Sequence, residues 1–169
     1  MGMVAGVAVT RAKVFLSWCH ADKHLKDALL APLRPALGWF VDLQIEWWED
    51  SHLSCGEDLQ AAIVGQLDEA DYGVLLLSTS YFSRPFIRKH ELPRFAGLHA
   101  DKGSLPVALS PLMGYDGTWN MHGVERQTVF TLDGRTFEEL AGVERKKFAN
   151  ELASSIRRRL LGLNGYRPL

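Results

Sequence analysis

Two short apolar runs, Lys13-Val14-Phe15-Leu16-Ser17 and Tyr72-Gly73-Val74-Leu75-Leu76-Leu77-Ser78, carry no polar alternation. A strand with one wet face alternates, so runs of this kind belong to strands covered on both faces, as in a parallel sheet between helices. The segments between them are helical in period. Asp22 stands where it would cap a helix carrying Leu25, Leu29, Leu33 and Leu37, with Pro32 and Pro35 expected to bend or restart it. Gln44 to Trp48 reads as a second strand, Glu49 to Gly56 as a polar loop, and Leu59, Ile63, Leu67 and Ala70 as the buried stripe of a second helix. Strands alternating with helices imply right-handed crossovers, and the short first connection favours a flavodoxin-like winding over a barrel.

Beyond Ser78, the run Tyr81-Phe82-Ser83-Arg84-Pro85-Phe86-Ile87-Arg88-Lys89-His90-Glu91-Leu92-Pro93 leads into a helix expected to reach about His99. Leu105 to Leu109 reads as a strand in which Pro106 is tolerable only near the start, since a proline in mid-strand removes a ladder bond. Ser110 to Gly123 should be loop, Gln127 to Phe130 a short fifth strand, and Phe148, Leu152, Ile156 and Leu160 one face of a closing helix. The expected architecture is therefore a three-layer, flavodoxin-like α/β fold with a five-stranded parallel sheet. With 169 residues, it forms a single domain over 1–169 with its core at about 13–161.

Charge and cysteine usage exclude several classes. A net charge of -1 gives no general attraction to nucleic acid or anionic membrane, and Arg157-Arg158-Arg159 falls at a helix end where cations suit the macrodipole. Cys19 and Cys55 have no zinc-ligand spacing around them and form no disulfide framework, which fits a reducing, cytoplasmic setting. Both fall on expected loops near the mouth of the sheet, so thiol modification there is a minor alternative. The apolar Met1 to Val9 segment lacks a preceding basic region and is too short to span a bilayer, which argues against secretion, and Gly6 stands where a myristoylation signal wants Ser or Thr.

In an open parallel sheet, ligands sit beyond the carboxyl ends of the strands, so the residues there decide function. A phosphate-receiving regulator needs an acidic pair after the first strand to hold Mg²⁺, whereas this chain has Ser17-Trp18-Cys19-His20. That turn has no glycine for a pyrophosphate to approach, and no nucleophile elbow occurs. His20 and His24 are four apart but lack a third ligand nearby, so no metal is expected.

Taken together, Lys13 to Asp22, the loop Trp48-Glu49-Asp50 through Gly56-Glu57-Asp58, and Phe86-Ile87 through Glu91-Leu92-Pro93 resemble, in order and spacing, a Toll/interleukin-1 receptor (TIR) domain of bacterial type. The likeness runs over roughly residues 13 to 161. It implies an opening-strand motif, a BB loop, and a helix carrying the catalytic carboxylate at Glu91. The family divides into enzymes that cleave the nicotinamide–ribose bond of NAD and non-enzymatic modules that assemble signalling complexes; Glu91 favours the enzyme.

One carboxylate suffices for this chemistry, because the leaving nicotinamide is already a cationic pyridinium and departs neutral without a general acid. The resemblance implies NAD as substrate with no cofactor, and hydrolysis or cyclisation in bacterial antiphage defence or NAD-derived signalling. It also implies self-association through TIR–TIR contacts, with a sensor or effector protein as a further partner and no direct nucleic acid or membrane contact.

Ser17, Trp18, Asp50 and Phe86 would border the substrate. Trp18 either stacks on a ring or packs in the core, and Asp50 either touches NAD or shapes its loop through backbone bonds. Arg84, Arg88 and Lys89 read as solvated cations before they read as pyrophosphate ligands. One departure stands out: many NAD-cleaving members have an aromatic residue four positions before the catalytic Glu, where this chain has Ile87, with Phe86 one earlier as a substitute. Two rivals remain, an interaction module acting through the BB loop or against a host's immune adaptors, and a nucleoside glycosyl-transferring enzyme on the same winding.

Overall fold

A computed structural model describes residues 2–4, 6–48, 59–96, 100, 102–112, 124 and 128–162. Its strands are β1 (Gly2–Val4), β2 (Val7–Ser17), β3 (Leu43–Trp48), β4 (Tyr72–Leu77) and β5 (Gly103–Ala108). Its α-helices are α1 (Lys23–Gly38), α2 (Leu59–Glu69), α3 (Thr79–Ser83), α4 (Leu92–Phe95) and α5 (Val143–Leu161). The parallel strands lie in the order β3-β2-β4-β5, and β1 folds back antiparallel on the start of β2 through Gly6, whose φ of +82° suits glycine.

Strand pleat sorts the core into two layers. Val14, Leu16, Tyr72, Val74 and Leu76 pack with α1 and α5, while Phe15, Leu75 and Leu77 pack with Ile63 and Leu67 of α2 and with Tyr81, Phe82, Leu92 and Phe95. All six residues of β4 are buried, as the absence of alternation requires. The Leu25, Leu29, Leu33 and Leu37 stripe and the Phe148, Leu152, Ile156 and Leu160 stripe are both fully in the core.

Four expectations are corrected. The parallel sheet has four strands rather than five: on the outer side of β5, only Phe130 pairs among the described residues, bridging to Val107. Phe130 donates its N–H to the Pro106 carbonyl at 2.8 Å and accepts from the Ala108 N–H at 2.9 Å. The next rung towards Thr128 would need the N–H that Pro106 lacks, so the ladder stops there. Pro106 is also mid-strand rather than at the start, and it is tolerated because its nitrogen faces this outer edge and costs no bond to β4.

Third, α1 runs unbroken through Pro32 and Pro35. The carbonyls that lose an N–H partner to the two prolines belong to half-buried Ala28, at the margin of the core, and to exposed Ala31. Fourth, the helix expected to reach His99 ends at Phe95, with Ala96 already extended at φ -141°, ψ 156°.

Two of the three arginines near the end of α5, Arg157 and Arg159, act as staples. Arg157 forms a two-pronged ion pair with Asp42, its Nε donating at 3.0 Å, and Arg159 Nε donates to the Tyr72 hydroxyl at 2.7 Å. The Arg157 guanidinium holds the Asp42 carboxyl below the usual carboxylate range, and Asp42 in turn raises Arg157. These contacts fasten α5 to the amino-terminal end of the sheet, opposite the strand ends that bear the site.

Candidate functional site

β2 is joined through α1 to β3 on one side and lies beside β4 on the other, so the winding reverses between β2 and β4, the position at which open parallel sheets bind ligands beyond the carboxyl ends of their strands. Ser17 closes β2 and Ser78 follows β4. Because Ser17 shares the face of Phe15, it points into the layer holding α3 and the segment after it. There, its hydroxyl donates to Glu91 Oε1 at 2.8 Å and lies 2.7 Å from the Tyr81 hydroxyl. Ser17 and Tyr81 are wholly buried and Glu91 is 7% exposed.

Tyr81 completes a cluster that the sequence did not reveal. Burial first, and the Glu91 charge second, push its phenol well above its ordinary value. A second set of bonds holds the same end of the sheet: Ser78 Oγ accepts from the Tyr81 N–H at 3.0 Å and donates to Asp22 at 2.5 Å. Asp22 does occupy the N-cap position of α1, but its side chain makes no capping bond and is directed to Ser78 instead. Local spacing concealed this, since a capping role accounts for an Asp at that position while its actual partner lies 56 residues away.

Glu91 is delivered by an irregular turn. Residues Ile87–Glu91 form a π-helical turn in which Leu92 N–H reaches back to the Ile87 carbonyl. The proline at position 93 has no N–H to offer the Lys89 carbonyl, and Arg94 donates its guanidinium to the carbonyl of His90. A π turn takes one more residue than an α turn. Phe86, five before Glu91, is thereby brought near the side of the helix that a residue four before would hold in an α-helix. Ile87 is buried in the core, while the Phe86 ring is half-buried and lies 4.7 Å from that of His90.

The other expected residues divide. Trp18 packs in the core layer of α1, 8% exposed, with Lys26 Nζ 4.3 Å from its ring centre and the His20 ring at 4.7 Å. That placement matches the packing alternative rather than a stacking surface beside Glu91. Asp50 lies outside the described residues, as does Cys55, and Cys19 is buried with a free thiol. Arg84, Arg88 and Lys89 are exposed. Among the described residues, no three His, Cys, Asp or Glu side chains converge as metal ligands, and no helix is long and apolar enough to cross a membrane.

No family model matches the chain. An 86-residue stretch, 51% of the chain, is 31% identical to "Uncharacterized protein y4lF" of Sinorhizobium fredii (strain NBRC 101917 / NGR234). The match spans 26% of that protein, about a quarter of its length.

Proposed function

We propose that this chain is a TIR-type enzyme that cleaves the nicotinamide–ribose bond of NAD, with Glu91 as the catalytic carboxylate. The observation carrying the proposal is the buried Glu91 carboxylate, held by Ser17 at 2.8 Å where the winding of the sheet reverses. As nicotinamide departs, positive charge grows on the ribose. A fixed carboxylate near that centre, accepting from ribose hydroxyls, stabilises the transition state more than the ground state. Burial strengthens the effect, because little water screens the charge. Phe86, carried round by the π turn, supplies the aromatic surface, and the products are nicotinamide with ADP-ribose or a cyclised form. The biological setting proposed is bacterial antiphage defence or NAD-derived signalling in the cytoplasm.

A non-enzymatic interaction module is the second reading. It is favoured by Trp39, 85% exposed, beside a groove of about 550 Å³ between α1 and α5 that includes Pro35, Phe40, Lys146 and Asn150. NAD loss measured over a rising series of protein concentrations separates the two, because a site completed by self-association gains activity per molecule as copies meet. Loss that Glu91→Gln abolishes supports the enzyme. Wild-type protein that leaves NAD intact at the highest concentration and under enforced assembly supports the module.

A further inference from the structure

We infer that Tyr81 is a positioning residue that acts on Glu91 through the Ser17 hydroxyl, an assignment that rests on the reading of Glu91 as the catalytic carboxylate. Counting protons fixes the direction of each bond. A serine hydroxyl has a single hydrogen and two lone pairs, and an ionised carboxylate only accepts. Ser17 commits its hydrogen to Glu91 Oε1 at 2.8 Å, so the 2.7 Å contact with Tyr81 is made by the phenol donating to Ser17. The result is a directed relay, Tyr81 O–H to Ser17 O–H to the Glu91 carboxylate. Each donor polarises the next, and the relay lies in a buried site where such polarisation is least screened.

Packing alone does not call for this hydroxyl. The Tyr81 ring sits in the core among Phe82, Leu77 and Leu92, where phenylalanine would fill the same space, and a buried phenol left without a partner would be costly. Its backbone is independently fixed by the N–H bond to Ser78, which is itself bonded to Asp22. The phenol is thus held from behind while its oxygen is aimed at Ser17. The relay fixes the rotamer of Ser17 and, through it, the direction and charge of the carboxylate that must face the ribose. Tyr81 touches neither substrate nor reacting atoms on this account.

The test reads the Tyr81 hydroxyl proton by NMR on the full chain with labelled tyrosine, assigned through its own ring protons, together with steady-state kinetics on NAD. A protected, downfield hydroxyl resonance is expected. It should move upfield in both Glu91→Gln and Ser17→Ala. Tyr81→Phe should lower kcat about tenfold while changing KM by less than about twofold, the pattern of a group that orients a catalytic residue without holding substrate. Absence of a protected hydroxyl proton, a resonance indifferent to Glu91→Gln, or wild-type kcat in folded Tyr81→Phe would each overturn the inference. If wild-type protein does not consume NAD, the enzymatic proposal falls, and the hydroxyl resonance still decides the relay by itself.

Discussion

Gly73, in the central strand β4, has no room for one added carbon. A Cβ built on Gly73 would lie 2.6, 2.7 and 2.9 Å from Cδ1, Cε1 and Cγ of Phe95. Carbon pairs settle at about 3.5–4.0 Å, so Gly73→Ala requires the ring to retreat by about 1 Å. It has little room to do so. Phe95 is 1% exposed, its ring stacks on Phe15 at 6.0 Å, and its carbonyl is held by Ser104 Oγ at 2.8 Å.

Overpacking of this kind costs about 1–3 kcal/mol, and three clashing ring atoms place Gly73→Ala towards the upper end. At about 2–4 °C per kcal/mol for a chain of this size, the melting temperature should fall by roughly 4–12 °C. Urea unfolding provides the assay, with a lower midpoint expected at unchanged slope. Phe95→Ala removes all three clashing ring atoms, so the double variant should be more stable than the sum of the single costs by about 1 kcal/mol or more. A Gly73→Ala protein within about 0.5 kcal/mol of wild type, or strict additivity with Phe95→Ala, would refute this packing.

Two other perturbations test separate parts of the molecule. Arg157→Ala should cost about 1 kcal/mol at pH 7 by releasing Asp42. Because Asp42 titrates lower in the folded chain than in the unfolded one, its contribution is present above the unfolded value and is lost as pH falls through the folded value. The melting-temperature gap between wild type and Arg157→Ala should therefore narrow below about pH 4, and a gap independent of pH would count against the pair. Phe86→Ala should raise KM for NAD by about tenfold, with Phe86→Trp close to wild type; unchanged KM in Phe86→Ala would remove the ring from the substrate surface.

How far the sequence reached depended on the range of the forces involved. The unalternating runs at Lys13 to Ser17 and Tyr72 to Ser78 revealed two central strands and hence the α/β class, because burial on both faces is written into every residue of such strands. β1 carried no comparable sign, since its pairing is a short hairpin and depends on the turn at Gly6. The edge of the sheet was misjudged at Pro106 and Phe130, where a missing N–H matters only once the direction it faces is known.

At the site, Glu91 and Ser17 emerged from motif order, and the pleat of β2 explains why they meet. Tyr81 and Asp22 were hidden for one common reason: each satisfies a local rule, an apolar helix position or a cap, while its decisive hydrogen bond crosses the fold. The π turn was equally hidden, although Pro93 and the five-residue separation of Phe86 from Glu91 are its traces in the sequence.

Nicotinamide release from NAD, followed by chromatography for concentrated wild-type protein beside Glu91→Gln with matched melting temperatures, tests the catalytic role of this carboxylate most directly. Release by the wild type, falling at least ~10²-fold in the variant, is the predicted result. Equal release by both proteins, or none from the assembled wild type, would contradict it.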